Sequence, residues 1–404
     1  MVSRPSAQLR CHYFESGACR SCTLIETPYD RQLADAQERC RELLPQVPAA
    51  AWLPVSGSAD RGFRNRAKLV VGGSPARVSL GILGPDGRGV DLRECAIQSP
   101  EIAAVIPTLA AFLERTGLPP YDVPGRRGEV KFVHVTSAPD GALMLRFVVR
   151  SERALEVLRG RLDELRRLVP QAEVISVNLL PEHKAVLEGE REEVLHGSAL
   201  AMRLGTQDRP LTLYLQPRSF FQTNTGVARE LYAQAVAWAE RVDPASVWDL
   251  YCGVGGFALH IAAALGGARE VLGIEISEAA VDAARRSARE AGVSARFVAA
   301  DATEFAVSGA GAGASATTAS SAPSGAELPE LLVVNPPRRG LGAPLAEWVE
   351  GSGIPSVIYS SCNPVSLARD LVAMPSYQVD AARVFDMFPH TSHLEVTVLL
   401  SKSA

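Results

Sequence analysis

Three side chains in the last quarter of the sequence could together attack an electron-poor ring carbon and move a proton. Cys362, in "VIYSSCNPVSLARD", ends a β-branched, buried-looking run and stands just ahead of a helical pattern. A thiol near a helix N-terminus has a lowered pKa and is a competent nucleophile, although a lone cysteine is more often a small buried hydrophobe. Asn335, in "LLVVNPPRRGLG", ends the preceding apolar run, so it should lie beside Cys362 at one rim of a sheet. Glu395, in "FPHTSHLEVTVLL", alternates with His393 in an extended stretch, so the two should face the same way. A carboxylate leading into such an apolar run is either a paired edge residue or a general base.

A ligand for this rim is suggested by "DLYCGVGGFAL", where Gly253, Gly255 and Gly256 separate a strand pattern from a helix pattern. Missing side chains there let the backbone approach a nucleotide-like molecule. Glu275, ending the next strand in "GIEIS", is placed to grip ribose hydroxyls. The turn also reads as G-x-G-x-x-A, so the glycines alone fit NAD as well as S-adenosylmethionine. Asp249 and Asp301, the latter in "VAADATEF", put acceptors near a cationic sulfonium and an adenine amine. Two phosphates would be poorly served by that acidity, and S-adenosylmethionine is preferred.

The elements that must position these groups follow from the hydrophobic pattern. From about 215 onward, strands and helices alternate, which implies an α/β, doubly wound, mostly parallel Rossmann-like sheet in a C-terminal unit spanning 211–404. Residues 55–210 alternate in segments such as "KFVHVTSAPDGALMLRFVVR", with "PDG" as a hairpin turn, and read as an antiparallel-rich α+β domain. Residues 1–54 carry a cysteine cluster and a helix in "YDRQLADAQERCRELL". The Gly/Ala/Ser/Thr stretch 308–327 reads as a flexible surface insertion.

At 404 residues, 47% hydrophobic and 21% charged, the chain is long enough for two domains and is not a disordered sequence. No long apolar run or signal-peptide core is evident, so a cytoplasmic protein without membrane association is expected. In a reducing compartment the seven cysteines then point to metal binding or catalysis and away from disulfides. A net charge of −4 leaves any nucleic-acid contact to local patches.

Cys11, Cys19 and Cys22 stand at C-x7-C-x2-C. Cys95 is the obvious fourth ligand, because Cys40 sits in a helical pattern and Cys252 in the glycine turn. Zinc is open, but three clustered cysteines plus a remote one is a ferredoxin-like habit.

Five ordered motifs, "FFQTN" (220–224), "DLYCGVGGF" (249–257), "VVNPPRRG" (333–340), "SSCNP" (360–364) and "DMFPHTSHLEV" (386–396), resemble those of the S-adenosylmethionine-dependent RNA uracil carbon-5 methyltransferases. The resemblance covers nearly the whole chain. It implies cofactor contacts by Gln222, Tyr251, Glu275 and Asn335; Gly253, Gly255 and Asp301 join that site on the reading of the glycine turn and the third strand. It makes Cys362 the nucleophile that adds to carbon 6 of uracil, and Glu395 the base that removes the carbon-5 proton. It also implies that Cys11, Cys19, Cys22 and Cys95 hold a [4Fe-4S] cluster. Four thiolates leave no open iron, so the cluster is read as structural.

The implied partner is a uridine-containing loop of 23S rRNA, favoured over tRNA by the lack of an evident extra N-terminal RNA-binding barrel, and a monomer is expected. Arg64, Arg66 and Lys68 in "RGFRNRAKLVV", with Arg126, Arg127 and Lys131 in "GRRGEVKF", read as phosphate contacts or as a solvated face. Phe220 and Phe221 could stack on an extruded base, or one of them could be core. An NAD-dependent oxidoreductase would account for the glycine turn but leave Cys362 and Glu395 unexplained. A non-catalytic iron–sulfur RNA-binding protein would require Cys362 to be inert. An exocyclic-amine methyltransferase usually has an aromatic residue after Asn-Pro-Pro, where Arg338 stands.

Overall fold

The computed structural model describes residues 8–205, 209–267, 269–309 and 328–403. Apart from the two residues that close the helix Ala302–Gly309, the expected insertion at 308–327 lies outside the described residues.

Two seven-stranded sheets organise the chain, and a two-stranded hairpin, Leu200–Arg203 with Thr212–Leu215, lies between them in sequence. The first sheet runs Gly89–Asp91, Arg77–Leu83, Arg66–Ser74, Val130–Ser137, Leu143–Val149, Ala172–Leu179, Arg191–His196. Its neighbours pair antiparallel except Leu143–Val149 with Ala172–Leu179, which the helices Glu152–Gly160 and Leu162–Leu168 connect as a crossover. The expected "PDG" hairpin joins the fourth and fifth strands of that row. Alternation buries one face, with Leu69, Val71, Val133, Val135 and Leu145, against the helix Pro100–Thr116.

The second sheet runs Arg296–Ala299, Glu270–Glu275, Ser246–Leu250, Leu331–Val334, Ser356–Ser361, Glu395–Lys402, Tyr377–Phe385. Five strands pair parallel, and Glu395–Lys402 pairs antiparallel with both of its neighbours, so the chain departs from a purely parallel sheet at the side that carries Glu395. Strand order reverses between Ser246–Leu250 and Leu331–Val334, the crevice where open α/β sheets bind ligands.

Residues 40–56 join this second sheet. Cys40, Leu44, Val47 and Trp52 belong to its core, and Leu53 N and Ser56 N donate to the carbonyls of Ala382 and Val384, both at 2.8 Å. The segment thereby covers part of the sheet's exposed edge strand. No described helix is long and apolar enough to cross a membrane.

Candidate active site

Strand register brings the expected pair together. Ser361 faces Val396 across the antiparallel ladder, so the next residue, Cys362, falls level with Glu395. Asn335 follows the parallel neighbour Leu331–Val334, and its Nδ2 donates to Glu395 Oε1 at 2.9 Å and to the Ser360 carbonyl at 3.0 Å. Ser360 Oγ also donates to Glu395 Oε1, at 2.6 Å, and Thr397 Oγ1 to Ser360 Oγ at 3.1 Å. Glu395 is only 2% exposed. Burial pushes its carboxyl up to about 7, against the opposing pull of the Ser360 and Asn335 hydrogen bonds.

Cys362 is partly exposed. Burial raises its thiol, the Glu395 charge raises it further, and the Arg338 guanidinium works the other way. This corrects the expectation of a thiol lowered by a helix N-terminus. The helix Pro364–Val372 does begin two residues on, but Asn363 caps it by accepting from Val365 N, and desolvation dominates at the sulfur. Arg338 was not singled out as functional in sequence, and only its approach to Cys362 in space reveals it. His393 is exposed and lies ahead of the strand that Glu395 opens, whereas Glu395 is buried.

The loop leading into Glu395 is held from the N-terminal segment. Tyr29 Oη donates to Asp386 Oδ2 at 2.6 Å, and Gln32 Oε1 accepts from His390 N at 3.0 Å. His390 adopts φ +66° with its ring against the Asp60 carbonyl, Nε2 to O 2.6 Å.

The glycine turn forms as expected between Ser246–Leu250 and the helix Gly256–Leu265. Tyr251, Gly253 and Gly255 all have positive φ, +63°, +54° and +86°. A Cβ on Gly253 would meet nothing within 4 Å, so its backbone borders open space that a ligand could fill, whereas one on Gly256 would lie 2.6 Å from Tyr232 Oη. Glu275 accepts from Gly253 N at 3.1 Å and Ser277 N at 3.0 Å, which pins its carboxylate at the turn. Asp301 Oδ1 accepts from Thr303 N and Glu304 N, at 2.8 and 2.9 Å, so it caps the helix Ala302–Gly309. Asp249 is fully buried and pushed up to about 8 by desolvation; one oxygen accepts from Ala258 N and the other has no partner among the described residues. Gln222 is buried, its carbonyl accepting from Asn65 Nδ2 at 3.0 Å. Phe220 is 71% exposed while Phe221 is core.

Cys11, Cys19, Cys22 and Cys95 gather at one place although they span 84 positions of sequence. Burial and then the charges of Cys95, Cys19 and Cys11 push Cys22 up to about 12. Among the described residues, no group of three or more Cys, His, Asp or Glu side chains is placed to hold a metal ion, so the expected iron–sulfur site is not shown by the arrangement of these thiols.

The basic residues divide. Lys131 is buried, its ammonium donating to the Glu182 carbonyl and lying 4.8 Å from the Tyr121 ring centre, and burial pushes it down to about 8. Its charge is committed inside the protein, which corrects the reading of it as a phosphate contact. Arg64 is half-buried beside Cys22 and Cys95, and burial lowers its pKa. Arg66 Nη1 donates to the Ser219 carbonyl at 2.9 Å, next to Phe220. Lys68, Arg126 and Arg127 are exposed.

The tRNA (uracil-5-)-methyltransferase family matches residues 169–403. The 23S rRNA (uracil(747)-C(5))-methyltransferase RlmC of Pectobacterium atrosepticum is 42% identical over 98% of this chain and 100% of its own. That of Halothiobacillus neapolitanus is 45% identical over 97% and 99%. The chain belongs to the RNA uracil-5-methyltransferase family. It is an S-adenosylmethionine-dependent RNA uracil-C5 methyltransferase. The fold of the family is seen in Pyrococcus abyssi tRNA (uracil-54, C5)-methyltransferase in complex with S-adenosyl-L-homocysteine, which superposes with a TM-score of 0.74 at 23% identity over 94% of this chain and 85% of that one.

Proposed function

We propose that this enzyme methylates carbon 5 of a uridine in a loop of 23S rRNA, through a covalent bond between Cys362 and carbon 6 of the ring. The observation that carries the mechanism is the register of Cys362 level with Glu395 at the rim of the second sheet, beside Asn335. The rRNA assignment rests on the near full-length similarity to relatives named for that substrate.

Carbon 5 of uracil is too weak a nucleophile to displace a methyl group unaided. When the Cys362 sulfur bonds to carbon 6, the carbon 5–carbon 6 π pair moves into an enolate and loads electron density on carbon 5. S-adenosylmethionine, when bound, supplies the methyl group that this carbon takes. Glu395 then accepts the carbon-5 proton, the double bond re-forms and the thiolate leaves. General-base help of this kind is worth about 10²–10⁴-fold. Arg338 favours the thiolate, and Asn335 and Ser360 hold the base by one oxygen, leaving the other for the proton.

The glycine turn with Tyr251, Gly253, Gly255, Glu275 and Asp301, together with Gln222, would hold the cofactor. Asn335 acts as a positioning residue for Glu395. Exposed Phe220, Lys68, Arg126 and Arg127 are offered to RNA. The organisation taken is a cysteine-bearing segment, a central RNA-binding domain and a catalytic domain, working as a single chain.

We take the four thiols to hold the [4Fe-4S] cluster that the family resemblance implies. Zinc would draw its sulfurs to within about 2.3 Å of one ion, whereas cluster ligands each bind a different iron and stand further apart. The cluster's place is structural, and no catalytic step passes through it.

The test is to map 5-methyluridine in 23S rRNA and tRNA from cells with and without this protein. Loss of one modified position in 23S rRNA alone is expected. Loss confined to tRNA would overturn the substrate assignment.

A further inference from the structure

A cavity of about 340 Å³ opens at Cys362, and one of its walls does not come from the methyltransferase sheet. Arg39 and Leu43, from the helix Tyr29–Leu43, line it together with Cys362, Pro364, Val365, Arg338 and His393. No carboxylate is among the lining residues. Arg39 donates through Nη2 to the Ser392 carbonyl, while its Nε is buried with no acceptor among the described residues. Among the described residues no carboxylate pairs with it; the acidic neighbour one turn earlier, Asp35, is bound to Arg31 at 2.8 Å. Its guanidinium thus lines the cavity with a charge that no described carboxylate neutralises, which suits an external anion.

Whatever enters this cavity must bring a uracil ring to the Cys362 sulfur, and a uridine within RNA brings a phosphate on each side. We propose that Arg39 binds a phosphate flanking the target uridine, so that the N-terminal helix completes the substrate pocket built by the catalytic sheet. The proposal rests on the reading of Cys362 as the group that meets the ring. A guanidinium suits the task because its planar edge can hold one carbonyl and still present donors to an anion. The helix is fixed for that purpose: Gln32 and Tyr29, on the same helix, bind His390 and Asp386 in the loop that leads to Glu395. Register between Arg39 and Cys362 is therefore set by the same contacts that set Glu395.

The test is steady-state methylation and RNA binding by the full-length chain, using an RNA fragment that carries the modified loop. Arg39→Gln is expected to raise KM for RNA by about tenfold and to reduce the slope of log affinity against log salt by about one, the signature of one lost phosphate contact. Arg39→Lys, which keeps the charge without the fork, is expected to restore the slope and part of the KM. Wild-type KM and slope in Arg39→Gln would overturn the proposal. So would a fall in kcat alone, which would make Arg39 only a brace for the Ser392 loop. If the wild-type chain bound this RNA yet transferred no methyl group to it, the underlying reading and this proposal would fall together.

Discussion

Asn335 donates to Glu395 at 2.9 Å, so a residue that the motif places at the cofactor is bound to the carboxylate proposed to take the proton. The two come from strands separated by the Ser356–Ser361 strand, whose Ser360 supplies the second hydrogen bond to the same oxygen. Burial and these two donors together set the carboxyl near neutrality.

The pH profile should report this balance. With Glu395 at about 7, its ionised, proton-accepting form grows as pH rises through neutrality, and kcat should climb along that limb. Ser360→Ala removes a donor that holds the pKa down, so the limb should move to higher pH. A limb that stays in place or moves lower would show that Glu395 does not limit the rate.

Asp249 predicts a pH-dependent stability. Its carboxyl is raised from 3.8 to about 8, so folding favours the protonated form. The stabilisation is complete below about pH 4 and is lost as pH rises through 8, where the fold must carry a buried charge. Denaturant titrations should show stability falling across that window by on the order of a few kcal/mol. Asp249→Asn, which can still accept from Ala258 N, should flatten the slope; an unchanged slope would mean that a different group governs the pH dependence.

Gly256→Ala tests the packing of the glycine turn. The new Cβ would lie 2.6 Å from Tyr232 Oη, and Tyr232 is hemmed in by Phe257 and His260, with ring centres at 5.2 and 4.6 Å. Destabilisation of about 1–3 kcal/mol is expected, with weaker S-adenosylmethionine binding. Wild-type values for both would mean that the ring has room to move.

Anaerobically purified protein should contain iron and sulfide at about four each per chain, and Cys95→Ser should lose them and unfold at lower temperature. Stoichiometric zinc without iron would overturn the cluster.

Much of this arrangement is written locally. The strand before "CGVGG", the "PDG" hairpin and the adjacency of the Asn335 and Cys362 strands all follow from hydrophobic period and turn residues, and each is present. Alternation could not say what covers a face, and Lys131, on a strand that looks half-exposed in sequence, is roofed by the Glu182 segment. Nor could it say that residues 40–56 pack on strands more than 300 positions away, because no local pattern encodes a partner. Arg338 and Arg39 were invisible as functional groups for the same reason, since each matters through what it approaches in space.

The bond between protein and RNA is the most direct measurement. Glu395→Gln incubated with the RNA fragment and S-adenosylmethionine should yield a complex that survives denaturing electrophoresis, carries the transferred methyl group, and disappears when Cys362→Ala is added to the same chain. A Cys362→Ala enzyme that still turns over near the wild-type rate, or a covalent complex that persists without that sulfur, would contradict the account.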